Sequence, residues 1–159
     1  QLDIDPIIKA CQRLSLDRTG ALIVLERMNE LGQFRESGIA LEAVISEELI
    51  CNLFYDKAPL HDGAVIISHN KIKAAACILP VSSNRQLPPH LGLRHRAAVG
   101  ISEVSDAVAI AISEETGKIG VAEHGVLAED LSPVALKDLL EEAFSQGVKT
   151  DGNSVEAGP

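Results

Sequence analysis

Three short stretches of this 159-residue chain crowd reactive side chains together. The first is LHDGA at 60–64, where His61 and Asp62 precede Gly63 and Ala64. An imidazole and a carboxylate projecting near one turn can bind a divalent cation. Gly63 permits close backbone approach to a ligand. On its own, an Asp-Gly pair ahead of a strand is most often only a turn. The second stretch sets Arg94, His95 and Arg96 side by side at the head of an apolar, helix-spaced run. A helix N-terminus offers free N–H groups and the positive end of the helix dipole. The dipole contributes about 0.3–1 kcal/mol, too little to hold a polyphosphate against a chain of net charge -9. Arginine forks add the missing strength, because charge-assisted hydrogen bonds are about twice as strong as neutral ones. The bland alternative is a solvated surface turn. The third stretch is ISEETGKIG at 112–120, where Ser113 ends an apolar strand and Glu114 and Glu115 follow. A strand end beside a helix N-terminus is where open sheets bind ligands, although an SEE run alone is usually a polar hairpin turn. TGK lacks the P-loop frame, and no GxGxxG exists.

The elements that must position these groups follow from periodicity. Asp5-Pro6 predicts an N-cap and a first helical residue, with Ile4, Ile7, Ile8, Cys11 and Leu14 on one face and a stop near 17–20. Residues 20–26 read as a buried strand, 27–38 as a polar loop and 39–45 as a short strand. Ser46 caps a helix whose inner face is Leu49, Ile50, Leu53 and Phe54. Strands over 64–68 and 72–79 flank a His69-Asn70 turn, and 81–92 is a surface loop. The Arg94 stretch opens a helix with Ala97, Ala98, Ile101 and Val104 facing inward. Gly100 weakens that helix by about 1 kcal/mol relative to Ala, which implies a close packing partner. Residues 107–113 form a central strand, with alanines on one face that let a helix approach, and 118–123 return as its hairpin partner. Ser132-Pro133 starts a last helix, with Leu136, Leu139, Leu140, Ala143 and Phe144 inward and its end at Gly147. The expectation is one α/β domain over 1–147, a mixed central sheet flanked by helices on both faces, with a disordered tail over 148–159.

Composition bounds the function. The chain is 46% hydrophobic, enough for one core. Its acidity, three Phe, one Tyr and no Trp argue against a nucleic-acid surface or a base-stacking platform. Cys11, Cys51 and Cys77 are odd in number and form no CxxC, so reduced core thiols are expected. His69, His90 and His124 read as surface residues. No apolar run spans a membrane and nothing reads as a signal peptide; a chain opening on Gln1 is expected to be a fragment of something longer.

Together, DGA at 62–64 and RHR at 94–96, with APLHDGAVII, RHRAAVGISE and SEETG around them, resemble the diadenylate cyclase (DAC) domain, especially its membrane-anchored bacterial class, over residues 7–127. The resemblance implies that two ATP give cyclic di-AMP and two pyrophosphates, with Mg²⁺ or Mn²⁺. It implies that Asp62 activates the ribose 3′-hydroxyl or holds the metal, with Gly63 and Ala64 against the nucleotide. His61 and Glu115 would serve the metal. Arg94, His95, Arg96 and Ser113 would bind phosphates, and Ile78 and Leu79 would hold the adenine. Many family members carry Thr where Leu93 stands, and some an aromatic at the position of Ile78; here one hydroxyl contact is missing and the base meets an aliphatic surface. The product is two-fold symmetric and one domain offers half a site, so two domains are expected face to face. The class places the domain in the cytoplasm, anchored through a segment absent from this chain. Three other readings stay open: a nucleotide sensor that lost turnover, a metal-dependent phosphohydrolase releasing mononucleotides, and an interaction domain whose basic cluster meets an acidic partner.

Overall fold

The computed structural model describes residues 1–157, with side chains through Ser145. Its strands are β1 (Ala21–Leu25), β2 (Ile39–Val44), β3 (Ala64–Ser68), β4 (Lys71–Cys77), β5 (Val108–Ile112), β6 (Ile119–Glu123) and β7 (Val126–Ala128). Its helices are α1 (Ile4–Leu16), α2 (Gly32–Arg35), α3 (Glu47–Phe54), α4 (Leu93–Val104) and α5 (Pro133–Ala157). The strands form one mixed sheet in the order β2-β4-β3-β1-β5-β6-β7. β1 and β3 pair in parallel and the other neighbours are antiparallel.

The three innermost strands are buried along their whole length, so each feeds two cores. Ile23, Val65 and Ile110 point into the core under α1, α3 and α5. Leu22, Ile66, Ala109 and Ala111 point into the core under α4. The β5 alanines admit α4 close to the sheet, as the sequence implied. Gly100 has the packing partner it called for: an added Cβ would overlap the Pro80 carbonyl oxygen. The loop after β4 crosses α4 there, and the Ser82 N–H donates to the Arg96 carbonyl at 2.9 Å. Two-residue hairpins close β3–β4 at His69-Asn70 and β6–β7 at His124-Gly125, with positive φ at all four positions, the geometry that matches strand twist.

Several boundaries differ from the sequence expectation. α1 begins at Ile4 with Asp3 as N-cap, and Pro6 sits inside its first turn, where no backbone N–H is needed. α2 and β7 are too short to leave a periodic signal. β4 ends at Cys77 rather than Leu79: Ala76 adopts φ 55, and the Ile78 N–H turns to the Ser37 hydroxyl at 2.8 Å. Val104 is 63% exposed instead of inward; the buried stripe of α4 runs through Ala98, Ile101 and Ser102. α5 runs past Gly147, and the disordered tail expected over 148–159 lies outside the residues whose side chains are described. Cys11 and Cys77 are buried and Cys51 is half-buried, all free; burial pushes the Cys11 thiol up to about 12.

Candidate active site

Strand register brings the sequence motifs to one end of the sheet. Ile23 pairs with Val65, so the start of β1 lies beside the start of β3. Ala21 pairs with Ile112, so Gly20 lies beside the end of β5 and Ser113. Ala64 pairs with Cys77, which puts Ile78 at the same end. Four strand ends in a row therefore carry Ile78, Gly63, Gly20 and Ser113.

The 62–64 turn is fixed against β4. Gly63 has φ +89, and an added Cβ would stand 2.7 Å from the Cys77 carbonyl oxygen. Ala64 is fully buried as the first residue of β3. Asp62 is exposed, and among the described residues no hydrogen bond or ion pair reaches its carboxylate. The His61 ring places Nδ1 2.9 Å from the Ala58 carbonyl oxygen. A carbonyl can only accept, so Nδ1 carries a proton here, which in the neutral ring leaves Nε2 as the nitrogen able to accept a metal. Among the described residues no group of three or more His, Cys, Asp or Glu forms a metal cage. Glu115 lies beyond β5, and β5 is two strands from β3, roughly 10 Å.

The head of α4 divides its three basic residues among three tasks. No side chain caps the helix at Gly92, so none takes its first N–H groups. Arg94 crosses the start of β1 to Glu114, Nη1 donating to Oε1 at 3.2 Å. Arg96 turns away: Nε donates to the Leu91 carbonyl at 3.2 Å and Nη2 to that of Pro88 at 3.3 Å, bracing the loop before the helix. Burial holds the His95 imidazole below its usual range; Glu129 opposes this, and His90 and Arg94 add to it. Arg94 is the one full cation of the trio directed at the sheet end.

The remaining candidates separate by exposure. The Ser113 hydroxyl accepts from the Glu115 N–H at 3.1 Å and the Thr116 N–H at 3.2 Å. Its acceptor capacity is filled and its proton is left to donate. Ile78 is 72% exposed, whereas Leu79 is 8% exposed and belongs to the α4-side core. Ile78 therefore adds exposed apolar surface at this end, as Leu93 does at the head of α4, where it is 74% exposed, while Leu79 is part of the core.

A family model settles what this arrangement belongs to. The model described as DAC, DisA bacterial checkpoint controller nucleotide-binding, matches residues 8–127. The chain belongs to the DAC family. It is 47% identical over 149 residues to the cyclic di-AMP synthase CdaA of Bacillus subtilis, covering 94% of this chain and 55% of that one. It is 46% identical over 137 residues to a diadenylate cyclase of Listeria monocytogenes, covering 86% and 50%. The DAC domain therefore spans about half the length of these curated relatives. A crystal structure of a DacA double mutant from Staphylococcus aureus superposes with TM-score 0.87 at 48% identity, covering 89% of this chain and 94% of that one. The single-domain α/β architecture expected from the sequence is thus shared with a solved DAC structure. Among the described residues no helix is long and apolar enough to cross a membrane.

His95 gives the DAC domain a pH signature. Its folded pKa lies below the ordinary value, so below about pH 6.5 the unfolded chain binds the proton more readily and stability falls as pH falls. Wild type should therefore lose thermal midpoint between about pH 7.5 and pH 5.5 faster than His95→Gln, in melting curves at matched ionic strength. Parallel curves would mean that His95 titrates alike in both states.

Proposed function

We propose that this domain is a diadenylate cyclase that condenses two ATP into cyclic di-AMP and two pyrophosphates. The observation that carries the reading is the meeting of the Asp62 turn and the Arg94 end of α4 at one sheet end, in a chain 46–47% identical to curated cyclases. In each half-reaction the 3′-hydroxyl oxygen of one ATP bonds to the α-phosphorus of the other. The bond from that phosphorus to the bridging oxygen breaks, and pyrophosphate leaves with the electron pair.

Each residue has a task its geometry suits. Asp62, exposed and unpaired, takes the 3′-hydroxyl proton or holds the cation that lowers its pKa. Gly63 and Ala64 let the nucleotide lie against backbone. Arg94, the free N–H groups of α4 and the Ser113 proton bind phosphate oxygens. His95 adds a neutral imidazole, and Arg96 acts through the loop it braces. Ile78 covers the adenine, backed by Leu79. His61 Nε2 and the Asp62 carboxylate would hold Mg²⁺ or Mn²⁺ together with nucleotide oxygens, and Glu115, two strands along the sheet, would serve the metal from the Ser113 end. The bound ion supplies charge neutralisation at the phosphates.

One domain presents one Asp62 and one Arg94, so two copies meet face to face around two ATP. The full-length protein works at the cytoplasmic face of the membrane, as the membrane-anchored class does. The test is to incubate the domain with ATP and Mg²⁺ or Mn²⁺ over a protein concentration series and identify products by chromatography and mass. Cyclic di-AMP and pyrophosphate, with specific activity rising with concentration, are expected. AMP or phosphate would replace the reading with a phosphohydrolase, and intact bound ATP with a sensor. Flat specific activity in a monomeric sample would remove the face-to-face arrangement.

A further inference from the structure

Gly20 ends the DRTG stretch that the sequence reads as a helix stop, yet the structure closes α1 without it. The left-handed residue after the helix is Arg18, at φ 52. The Thr19 N–H donates to the Leu14 carbonyl at 2.9 Å and the Arg18 N–H to that of Ser15 at 3.2 Å, which completes the helix end. Gly20 itself has no left-handed φ, so no turn demands a glycine there. What demands it is space. The three heavy atoms nearest an added Cβ all belong to the Arg94 guanidinium group: Nη1, Cζ and Nε. Nε, the farthest of these, would stand at 3.1 Å.

We infer that Gly20 is a positioning residue for the reaction: its missing side chain is the seat on which the Arg94 guanidinium lies, at the sheet end between the Asp62 turn and Glu114. The inference rests on the reading of Arg94 as the phosphate-binding cation. Glu114 holds the guanidinium from the other side at 3.2 Å, and the Arg94 side chain is 26% exposed in this seat. Gly63 and Gly100 differ in kind, because an added Cβ there would meet backbone atoms that cannot yield. At Gly20 it meets the mobile end of one side chain. Gly20→Ala therefore displaces Arg94 and leaves the backbone in place.

A double-mutant cycle separates this role from a general structural one. Wild type, Gly20→Ala, Arg94→Ala and the double variant are compared by melting curve and by calorimetric binding of 3′-deoxy-ATP with Mg²⁺. That analogue lacks the attacking hydroxyl, so it binds without turnover. Gly20→Ala should melt with wild type, bind the analogue about tenfold more weakly, and have no further effect once Arg94 is Ala. Undiminished binding by Gly20→Ala, an equal loss in both backgrounds, or a failure to fold would each overturn the inference. Wild-type binding by Arg94→Ala would instead overturn the phosphate role of Arg94 and the inference built on it. The two failures are thereby told apart.

Discussion

Asp62→Asn is expected to lower cyclic di-AMP formation about a thousandfold while leaving the domain folded and able to bind ATP. The substitution keeps the shape of the side chain and removes its charge and its basicity. The carboxylate is exposed and has no partner among the described residues, so the change in stability should stay within about 0.5 kcal/mol. The loss in rate corresponds to about 4 kcal/mol of transition-state stabilisation. It falls on the step in which the 3′-hydroxyl loses its proton, because an amide neither accepts that proton nor neutralises a cation. Initial rates with Mg²⁺ and with Mn²⁺, read beside melting curves, check it. More than a tenth of the wild-type rate from a fully folded variant would mean that the proton leaves by another route.

The parts of this site that were legible in the sequence are those carried by residue type and local spacing. DGA and RHR each have a bland reading alone, as a turn and as a solvated surface; they stand out because both occur, in that order and separation, with SEETG following. The strands around them show because short apolar runs end in turn formers, as at His69-Asn70. Long-range partners leave no such trace. Nothing near residue 94 announces that Arg94 reaches Glu114 across Gly20, or that Arg96 braces the Pro88 and Leu91 carbonyls. Three adjacent basic residues look equivalent in one dimension; packing makes one a cation held over Gly20 by Glu114, one a neutral ring and one a brace. Ala76 is the clearest omission: no residue-type rule places an alanine at φ 55, yet there β4 turns away and leaves Ile78 at the site. The same limit misdirected Val104, where two helical stripes fit the sequence and the sheet selected the one through Ser102.

Gly63→Ala should destabilise the domain and disable it together, in contrast to Gly20→Ala. The added methyl carbon would stand 2.7 Å from the Cys77 carbonyl oxygen and 2.9 Å from the Ala76 carbonyl carbon, at a backbone φ of +89. The left-handed conformation costs a residue with a Cβ about 1–2 kcal/mol, and overpacking against backbone adds about 1–3 kcal/mol. A net loss of about 2–5 kcal/mol lowers the melting midpoint by roughly 4–20 °C for a chain of this size. The opposing strand cannot move freely, because β4 is held between β3 and β2 and Ala76 already occupies a strained conformation beside the turn. The turn must therefore lift away from β4 and carry Asp62 with it, so turnover should fall at least tenfold even below the melting transition. Arg94 is seated on Gly20 and Glu114 rather than on the turn, so weakening of 3′-deoxy-ATP binding should be smaller than the loss of rate. If Gly63→Ala melted with the wild type and kept its rate, the turn would not be fixed by its glycine, and the placement of Asp62 would need another source.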